Sequence, residues 1–446
     1  MTDNTSSLIN ELVQTAIQNG ADAADVVFVS GTSLSVGVRN GATESLERSE
    51  TCDLGLRVFC GRKSAIVSAT ALEPSRFQAL ADRAIAMARI LPDDIFGGLA
   101  PDAETGPVLP DLSAFTDNAV PYAETLLDTA RKAEEAAFAI NGVTNSGGAG
   151  AGYGRTDITL ATSAGFSGSW ARTSYSTSVS VLAGNGTGMQ RDYDYHSTVF
   201  HEDLDAPELL GRNAGQKAVA RLNPGRPKTG TLSVIFDPRV ATSILGHLAG
   251  AINGASVARG TSFLKNRMGE KIFSDSVTII DDPTLRRGPA SRPFDGEGVL
   301  TRPLTLVENG YLQTWLLDSR SARQLNLPGN GRAARGTSSP PSPSVTNLFF
   351  RPGTVTPSEL MSDIREGIYI TEMMGSSINP LTGDYSRGAS GFMIRNGEIA
   401  EPVAEFTIAS NLNDMFARVI LANDLRFRSA TSSPTLRIDN MSIAGI

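Results

Sequence analysis

Asn-Gly dipeptides at 40–41, 309–310 and 396–397 each stand between runs of alternating apolar residues. Asn-Gly suits two successive residues at positive φ, the turn whose twist matches a pair of antiparallel strands. A chain punctuated this way is committed to hairpins, and 44 glycines among 446 residues point away from a helical bundle. In the first half, Val27 and Val29 share one parity. Leu34, Val36 and Val38 form a second set, and Leu54, Leu56, Val58 and Cys60 a third, followed by Ile66 and Val67. With turns expected at Gly31, Asn40-Gly41 and Gly61, this reads as a β-meander. Strand character returns over 156–182, split at Ala164-Gly165, and the glycine-rich stretch 184–188 reads as a hairpin end.

Helical spacing accounts for the rest of the first half. Leu8, Leu12, Val13, Ala16 and Ile17 form one stripe, with Ser6 or Ser7 as cap and Gly20 as stop. Phe77, Leu80, Ala84, Met87 and Leu91 form another after Glu73-Pro74, and a loop is expected over 93–121. Further helices are expected over 122–140 and 206–222, the second capped by Asp205. The Pro- and Gly-containing stretch 223–230 reads as a linker. Beyond it, one helix over 240–252, capped by Asp237-Pro238, precedes short strands at 276–280, 304–307, 311–317, 367–371, 391–394, 405–408 and 435–438. The expected fold is α+β. An N-terminal α/β layered domain over 1–222 carries helices on one face of a mostly antiparallel sheet, and a β-rich, barrel-like domain spans 231–446.

Several function classes are excluded. No apolar run approaches the ~18 residues that span a bilayer. The start, Met1-Thr2-Asp3-Asn4, lacks the basic character of a signal peptide. Cys52 and Cys60 cannot build a disulfide framework, so a reducing cytoplasm is the expected location. A net charge of −8 disfavours nucleic acid. A zinc hydrolase needs three converging protein ligands and an open position. The only histidines are His196, His201 and His247. His247 has no His or Glu beside it on its helix. His196 and His201 lie near Asp192, Asp194, Glu202 and Asp203, an acidic stretch read as solvated. Ser262 and Ser338 sit in tight turns without an evident base. One charge feature stands apart. Between Arg286 and Arg351 lie nine arginines, no lysine and four acids, a local balance of +5. Arginine without lysine suits carboxylates or interfaces, so a peptide groove or subunit interface is one reading and scattered strand-edge charge the other.

A series of motifs then appears in order. Arg259-Gly260-Thr261-Ser262 follows a helix. Asp281-Asp282-Pro283, Arg287-Gly288 and Phe294-Asp295-Gly296-Glu297-Gly298 come next, then Val307-Glu308-Asn309-Gly310, Gly329-Asn330-Gly331-Arg332 and Thr346-Asn347. The most diagnostic stretch is Gly383-Asp384-Tyr385-Ser386-Arg387-Gly388-Ala389-Ser390-Gly391-Phe392-Met393-Ile394. Asn396-Gly397-Glu398-Ile399 and Thr407-Ile408-Ala409-Ser410-Asn411-Leu412 follow, and Gly165-Phe166 and Arg172-Thr173-Ser174-Tyr175 match in the first half. Over nearly its whole length the chain resembles the TldD/PmbA family, also called the modulators of DNA gyrase.

The resemblance implies an N-terminal α/β domain, a barrel-like C-terminal domain and two subunit types. The TldD type is a zinc protease with His-Glu-x-x-x-His on a helix and a Cys ligand near the C-terminus. The TldE type, also called PmbA, lacks these ligands and associates with it in processing unfolded or small peptides. In the TldD pattern the histidines lie seventeen and twelve residues before the serine of Arg-Gly-Thr-Ser. Counted back from Ser262, these positions are Leu245 and Gly250, and the general-base position is Gly246. The C-terminal stretch 407–414 holds no Cys. The chain therefore resembles the TldE/PmbA type. It is expected to have no catalytic residue and no metal of its own, with zinc in a TldD-type partner and a peptide as shared substrate. Whether it forms a homodimer when alone stays open. Asn330, Arg332 and Arg335 are the candidates for peptide or partner contact. The alternative reading is a regulator that binds topoisomerase or another protein without proteolysis.

Overall fold

The computed structural model describes residues 2–103 and 111–446. The first half holds one antiparallel sheet: β1 (Ala23–Arg39), β2 (Ala42–Cys60), β3 (Lys63–Ala69), β4 (Val143–Thr162), β5 (Ser167–Ala183) and β6 (Gln190–Thr198). The strand order is β3-β2-β1-β4-β5-β6. Asn40 and Gly41 join β1 to β2 with φ of 51° and 76°, the paired positive values this dipeptide tolerates. The turn expected at Gly31 does not form. β1 runs straight through it, pairing Gly31 with Thr51 on one side and Thr156 on the other. Strands on both sides satisfy its backbone, which outweighs the local preference of glycine for a turn.

Parity sorts the two faces. Val26 and Phe28 of β1 pack with α1 (Thr2–Gln18) and α2 (Phe77–Ile90). Val36 and Val38, of the same parity, pack with α3 (Ala123–Phe138) and α4 (Pro207–Ala220). Four helices thus cover one face. Three local expectations shift. Ser6 and Ser7 lie inside α1 instead of capping it. The buried stripe of α2 is Phe77, Ala81, Ala84, Ile85 and Ala88, with Met87 and Leu91 exposed. Asp205 does not cap α4; it pairs with Arg428 at 2.8 Å and lies beside His196. On the other face, Val27, Leu160 and Phe166 meet the second half, where Phe294 packs edge-on to Phe166 at 5.0 Å.

The second half is built on a closed barrel of β7 (Gly230–Phe236), β8 (Glu366–Ile378), β9 (Asp384–Arg395), β10 (Glu398–Asn411) and β11 (Leu436–Ala444). The order is β10-β9-β8-β7-β11, and β10 pairs again with β11 through Thr407, Ile408 and Ala409. Closure removes the exposed edges that would recruit other strands. Asn396-Gly397 turns β9 into β10. A smaller sheet runs in the order 311–312, 304–308, 279–281, 348–350 and 431–432. The strand expected over 311–317 is shortened to Tyr311–Leu312. Helix α5 (Pro238–Ala251) buries Ala241, Ile244, Leu245, Leu248 and Ala251 in a core shared with barrel residues and this smaller sheet. Each large aliphatic there contributes roughly 1.5–3 kcal/mol.

The arginine-rich segment is used inside the molecule, to fasten the two halves together. Arg287 pairs with Glu202 and Asp203, and Arg320 with Asp94. Arg323 donates to the carbonyls of Phe96 and Leu99. Arg335 reaches Asp25 of β1, which also pairs with Arg57, its register partner on β2. The side chains of this triad are at most 8% exposed. Burial raises the Asp25 carboxyl, but the Arg335 and Arg57 guanidinium groups outweigh it and hold the group below the usual carboxylate range. Glu297 lies in the same region and forms no ion pair among the described residues. It accepts from the Ser319 N–H at 2.7 Å, and burial, with help from Asp295, pushes its carboxyl up to about 7.

Asp25→Ala leaves two buried guanidinium groups without their carboxylate. It is expected to cost about 3–5 kcal/mol, read as a lower urea midpoint; a loss under ~1 kcal/mol would show that the triad does not hold the halves together. Glu297 should give stability a pH dependence. Its folded pKa is raised, so its contribution is fully present below the unfolded value of 4.5 and is lost as pH rises through about 7. Between about pH 5 and about pH 8 the wild type should lose on the order of 2 kcal/mol more than Glu297→Gln, whose amide oxygen can still accept from Ser319. Parallel denaturation curves for the two proteins across that range would contradict this.

Candidate functional site

Helix α5 begins where its sequence requires. Asp237 caps it, accepting from the Arg239 N–H at 3.0 Å and the Tyr369 hydroxyl at 2.9 Å, with Pro238 in the first turn. Its apolar stripe then decides where the residues of interest point. Leu245 is fully buried in the core. Gly246 and Gly250 lie one turn apart on the exposed face and line a cavity of about 280 Å³. His247, Ser262, Ile378, Pro380 and Leu412 complete much of the wall. A Cβ at either glycine would meet nothing within 4 Å, so the helix surface is bare there. Gly246 and Gly250 therefore share one cavity with Leu412, the residue just past the end of β10.

The side chains present do not fit zinc. Leu245 is an aliphatic group turned into the core, and the two glycines have no side chain. His247 stands alone, edge-on to Tyr385 at 5.7 Å. Burial, then the nearby Arg387, pushes its imidazole down to about 4, so it is neutral at neutral pH. Among the described residues, no group of three or more His, Cys, Asp or Glu side chains is placed to hold a metal ion. Ser262 also lacks the posture of a nucleophile. Its hydroxyl donates to the Ala251 carbonyl at 2.5 Å and accepts from the Leu264 N–H at 3.0 Å, which pins the turn after α5.

The acidic stretch around His196 and His201 is ion-paired, where solvation was expected. Asp192 pairs with Arg221 and Arg239, Asp194 with Lys217 and Arg428, and Glu202 and Asp203 with Arg287. Of the three contact candidates, Arg332 and Arg335 have buried side chains and Asn330 is half-buried. Asn330 accepts from the Leu317 N–H at 3.0 Å and donates to the Trp315 carbonyl at 2.8 Å. Arg332 is fully buried, 2.5 Å from Asp281, and donates to the carbonyls of Asn330, Gly331, Asp281 and Arg302. It presents nothing to a peptide or partner. Arg335 is 1% exposed at its side chain, and one nitrogen is held by Asp25. The acids that draw these arginines inward are far away in sequence, so the local charge excess could not show where they go. The open cavity over α5 carried a weak signal in the sequence: two glycines spaced one turn apart in a helix, where glycine costs about 1 kcal/mol relative to alanine.

Three family models match in succession: PmbA/TldA metallopeptidase domain 1 over residues 24–88, the central domain over 117–222 and the C-terminal domain over 229–445. The chain is 34% identical to the metalloprotease PmbA of Escherichia coli over 443 residues, 98% of this chain and 96% of that one. The chain belongs to the PmbA/TldD family. A PmbA homologue from Haemophilus influenzae is also 34% identical, covering 97% of this chain and 94% of its own. Among solved structures, a Bacteroides thetaiotaomicron protein named as a modulator of DNA gyrase superposes with a TM-score of 0.91 at 25% identity, covering 100% and 99% of the two chains. TldE from Thermococcus kodakarensis superposes with a TM-score of 0.88 at 19% identity, covering 98% and 100%, a likeness of fold. Among the described residues, no helix of this PmbA/TldD-family chain is long and apolar enough to cross a membrane.

The purified chain, treated with chelator and dialysed, should carry well under one zinc per molecule by elemental analysis. Installing His, Glu and His at 245, 246 and 250 should not create a stoichiometric site. Position 245 faces the core, and an imidazole there should cost roughly 2–4 kcal/mol. Near one zinc per wild-type chain, with loss of stability on chelation, would overturn this.

Proposed function

We propose that this chain is the non-catalytic subunit of a TldD/TldE-type zinc metalloprotease acting on unfolded or small peptides in the cytoplasm, and that a TldD-type subunit brings the zinc. One observation carries the reading. At the metal and base positions of the TldD pattern, α5 buries Leu245 in the core and turns Gly246 and Gly250 toward an open cavity. Nothing there can activate water, while relatives over nearly the full length are named metalloproteases. The chemistry is then assigned to another chain, and this one contributes shape. The conserved architecture of barrel and helix, without the ligands, suits a wall of a substrate chamber that binds peptide but does not cut it.

The alternative, a regulator that binds topoisomerase or another protein without proteolysis, draws on the name of the Bacteroides structure. A net charge of −8 weighs against direct contact with DNA. Co-expression with a TldD-type paralogue from the same organism should yield a complex on size exclusion that cleaves unfolded peptide, while this chain alone does little. A paralogue equally active without this chain would remove the partner-subunit reading. So would cleavage by this chain alone that a single substitution in it abolishes.

A further inference from the structure

Among the described residues, no Asp, Glu, Lys or Arg lines the cavity over α5. Its apolar wall is Ala251, Phe263, Ile378, Pro380 and Leu412. Polar groups of the lining are already engaged. The Ser262 hydroxyl bonds the Ala251 carbonyl and the Leu264 N–H, and the Thr261 hydroxyl donates to the Ser256 carbonyl at 3.1 Å. The Nε2 of His247 is buried, so that nitrogen does not serve a ligand.

The remaining surface is the helix itself. Gly246 and Gly250 are exposed and have no side chain, so what they present is backbone. Conformation does not require glycine at either place. Both lie within α5, neither has a positive φ, and a Cβ at either would meet nothing within 4 Å. Each costs the helix about 1 kcal/mol relative to alanine, and what the pair provides is space. Gly250 also provides an acceptor. Its partner within the helix would be the Gly254 N–H, which is given to the Leu316 carbonyl at 2.8 Å instead. No other described residue donates to the Gly250 carbonyl.

For scale, a cavity of about 150 Å³ holds benzene. At about 280 Å³ this one has room for a leucine or phenylalanine side chain and part of the backbone that carries it. A charged group would find no countercharge in the lining. A purely apolar molecule would displace water from the Gly250 carbonyl and offer no donor in its place. An apolar side chain beside a backbone N–H meets both conditions.

We propose that this cavity is a specificity pocket that takes one large apolar side chain of an extended peptide, with the N–H of that same residue bonded to the Gly250 carbonyl. The inference rests on the partner-subunit reading only in taking a peptide as the ligand, and it adds which residue of the peptide this chain selects.

The test uses the full chain alone and hexapeptides with acetylated and amidated ends, identical except for one central residue: leucine, phenylalanine, alanine or glutamate. Affinity is read by calorimetry. The leucine and phenylalanine peptides should bind saturably, the alanine peptide about tenfold or more weakly, and the glutamate peptide not at all. N-Methylation of the central leucine, which removes the N–H, should weaken binding about fivefold. Gly250→Leu, whose side chain fills the space, should abolish the preference for leucine over alanine while Tm holds or rises, because leucine suits a helix better than glycine. Equal binding of the leucine and alanine peptides, or no saturable binding of either, overturns the proposal. Undiminished binding of the N-methyl peptide, or an unchanged leucine preference in a folded Gly250→Leu, also overturns it. If a TldD-type chain binds the wild type and excludes the leucine peptide from it, the cavity is a subunit contact and the proposal fails. Leucine-selective binding, with a paralogue that cleaves equally well without this chain, would keep the pocket and remove the partner-subunit reading. No selectivity, with cleavage only by the complex, would do the reverse. The peptide comparison needs only the wild type, so the proposal stays testable even if a variant fails to fold.

Discussion

The carboxylate of Asp25 is where two separately constructed halves become one molecule. It lies on the face of β1 away from the helices, opposite Arg57 on β2, and receives Arg335 from the second half. A buried carboxylate flanked by two buried guanidinium groups is tolerable only if all three stay together, because each would otherwise be a bare charge in a low-dielectric interior. The junction therefore specifies how the halves sit more than it adds net stability. Around it, Arg287, Arg320 and Arg323 make further cross-connections, nearer to solvent and individually weaker. The register of the contact decides what lies between the halves.

The barrel stands on a different principle. Closing β10 onto β11 removes free strand edges and gives α5 an apolar surface to pack against. Once Leu245 and Leu248 are fixed in the core, the 3.6-residue period places Gly246 and Gly250 on the outward side. That geometry makes the outward positions of the helix independent of the packing that holds it. The helix is held by its inward stripe, which leaves the outward face free to carry ligands or to carry nothing. Here it carries nothing, and space results.

The glycines of β9 show how tertiary contact assigns weight that a local pattern cannot. The stretch from Gly383 to Gly391 reads as a strand in which backbones approach closely, with Gly388 an obvious candidate for the tight point. In the structure, a Cβ at Gly388 would lie 3.4 Å from the Met374 carbonyl oxygen, an ordinary contact. At Gly391 it would lie 2.0 Å from the Tyr369 carbonyl oxygen, which no side chain can accept. The crowding comes from β8, where the register shifts between Ile370 and Glu372 beside Gly391.

By itself the sequence determined whatever rests on local chemistry. The Asn-Gly turns at 40–41, 309–310 and 396–397 follow from the ease with which those residues take positive φ. The cap at Asp237, the layered first half and the barrel-like second half follow from short-range periodicity. The ordered motifs pointed to the family. Tertiary structure alone decided the rest. It carried β1 through Gly31, because two neighbouring strands satisfy that backbone. It turned Arg332 inward to Asp281 and Arg335 to Asp25, partners 51 and 310 residues away. It also brought Leu412, just past β10, to the cavity over the bare face of α5. Charges and backbone groups find partners through space, and no window of sequence contains the distance over which they meet.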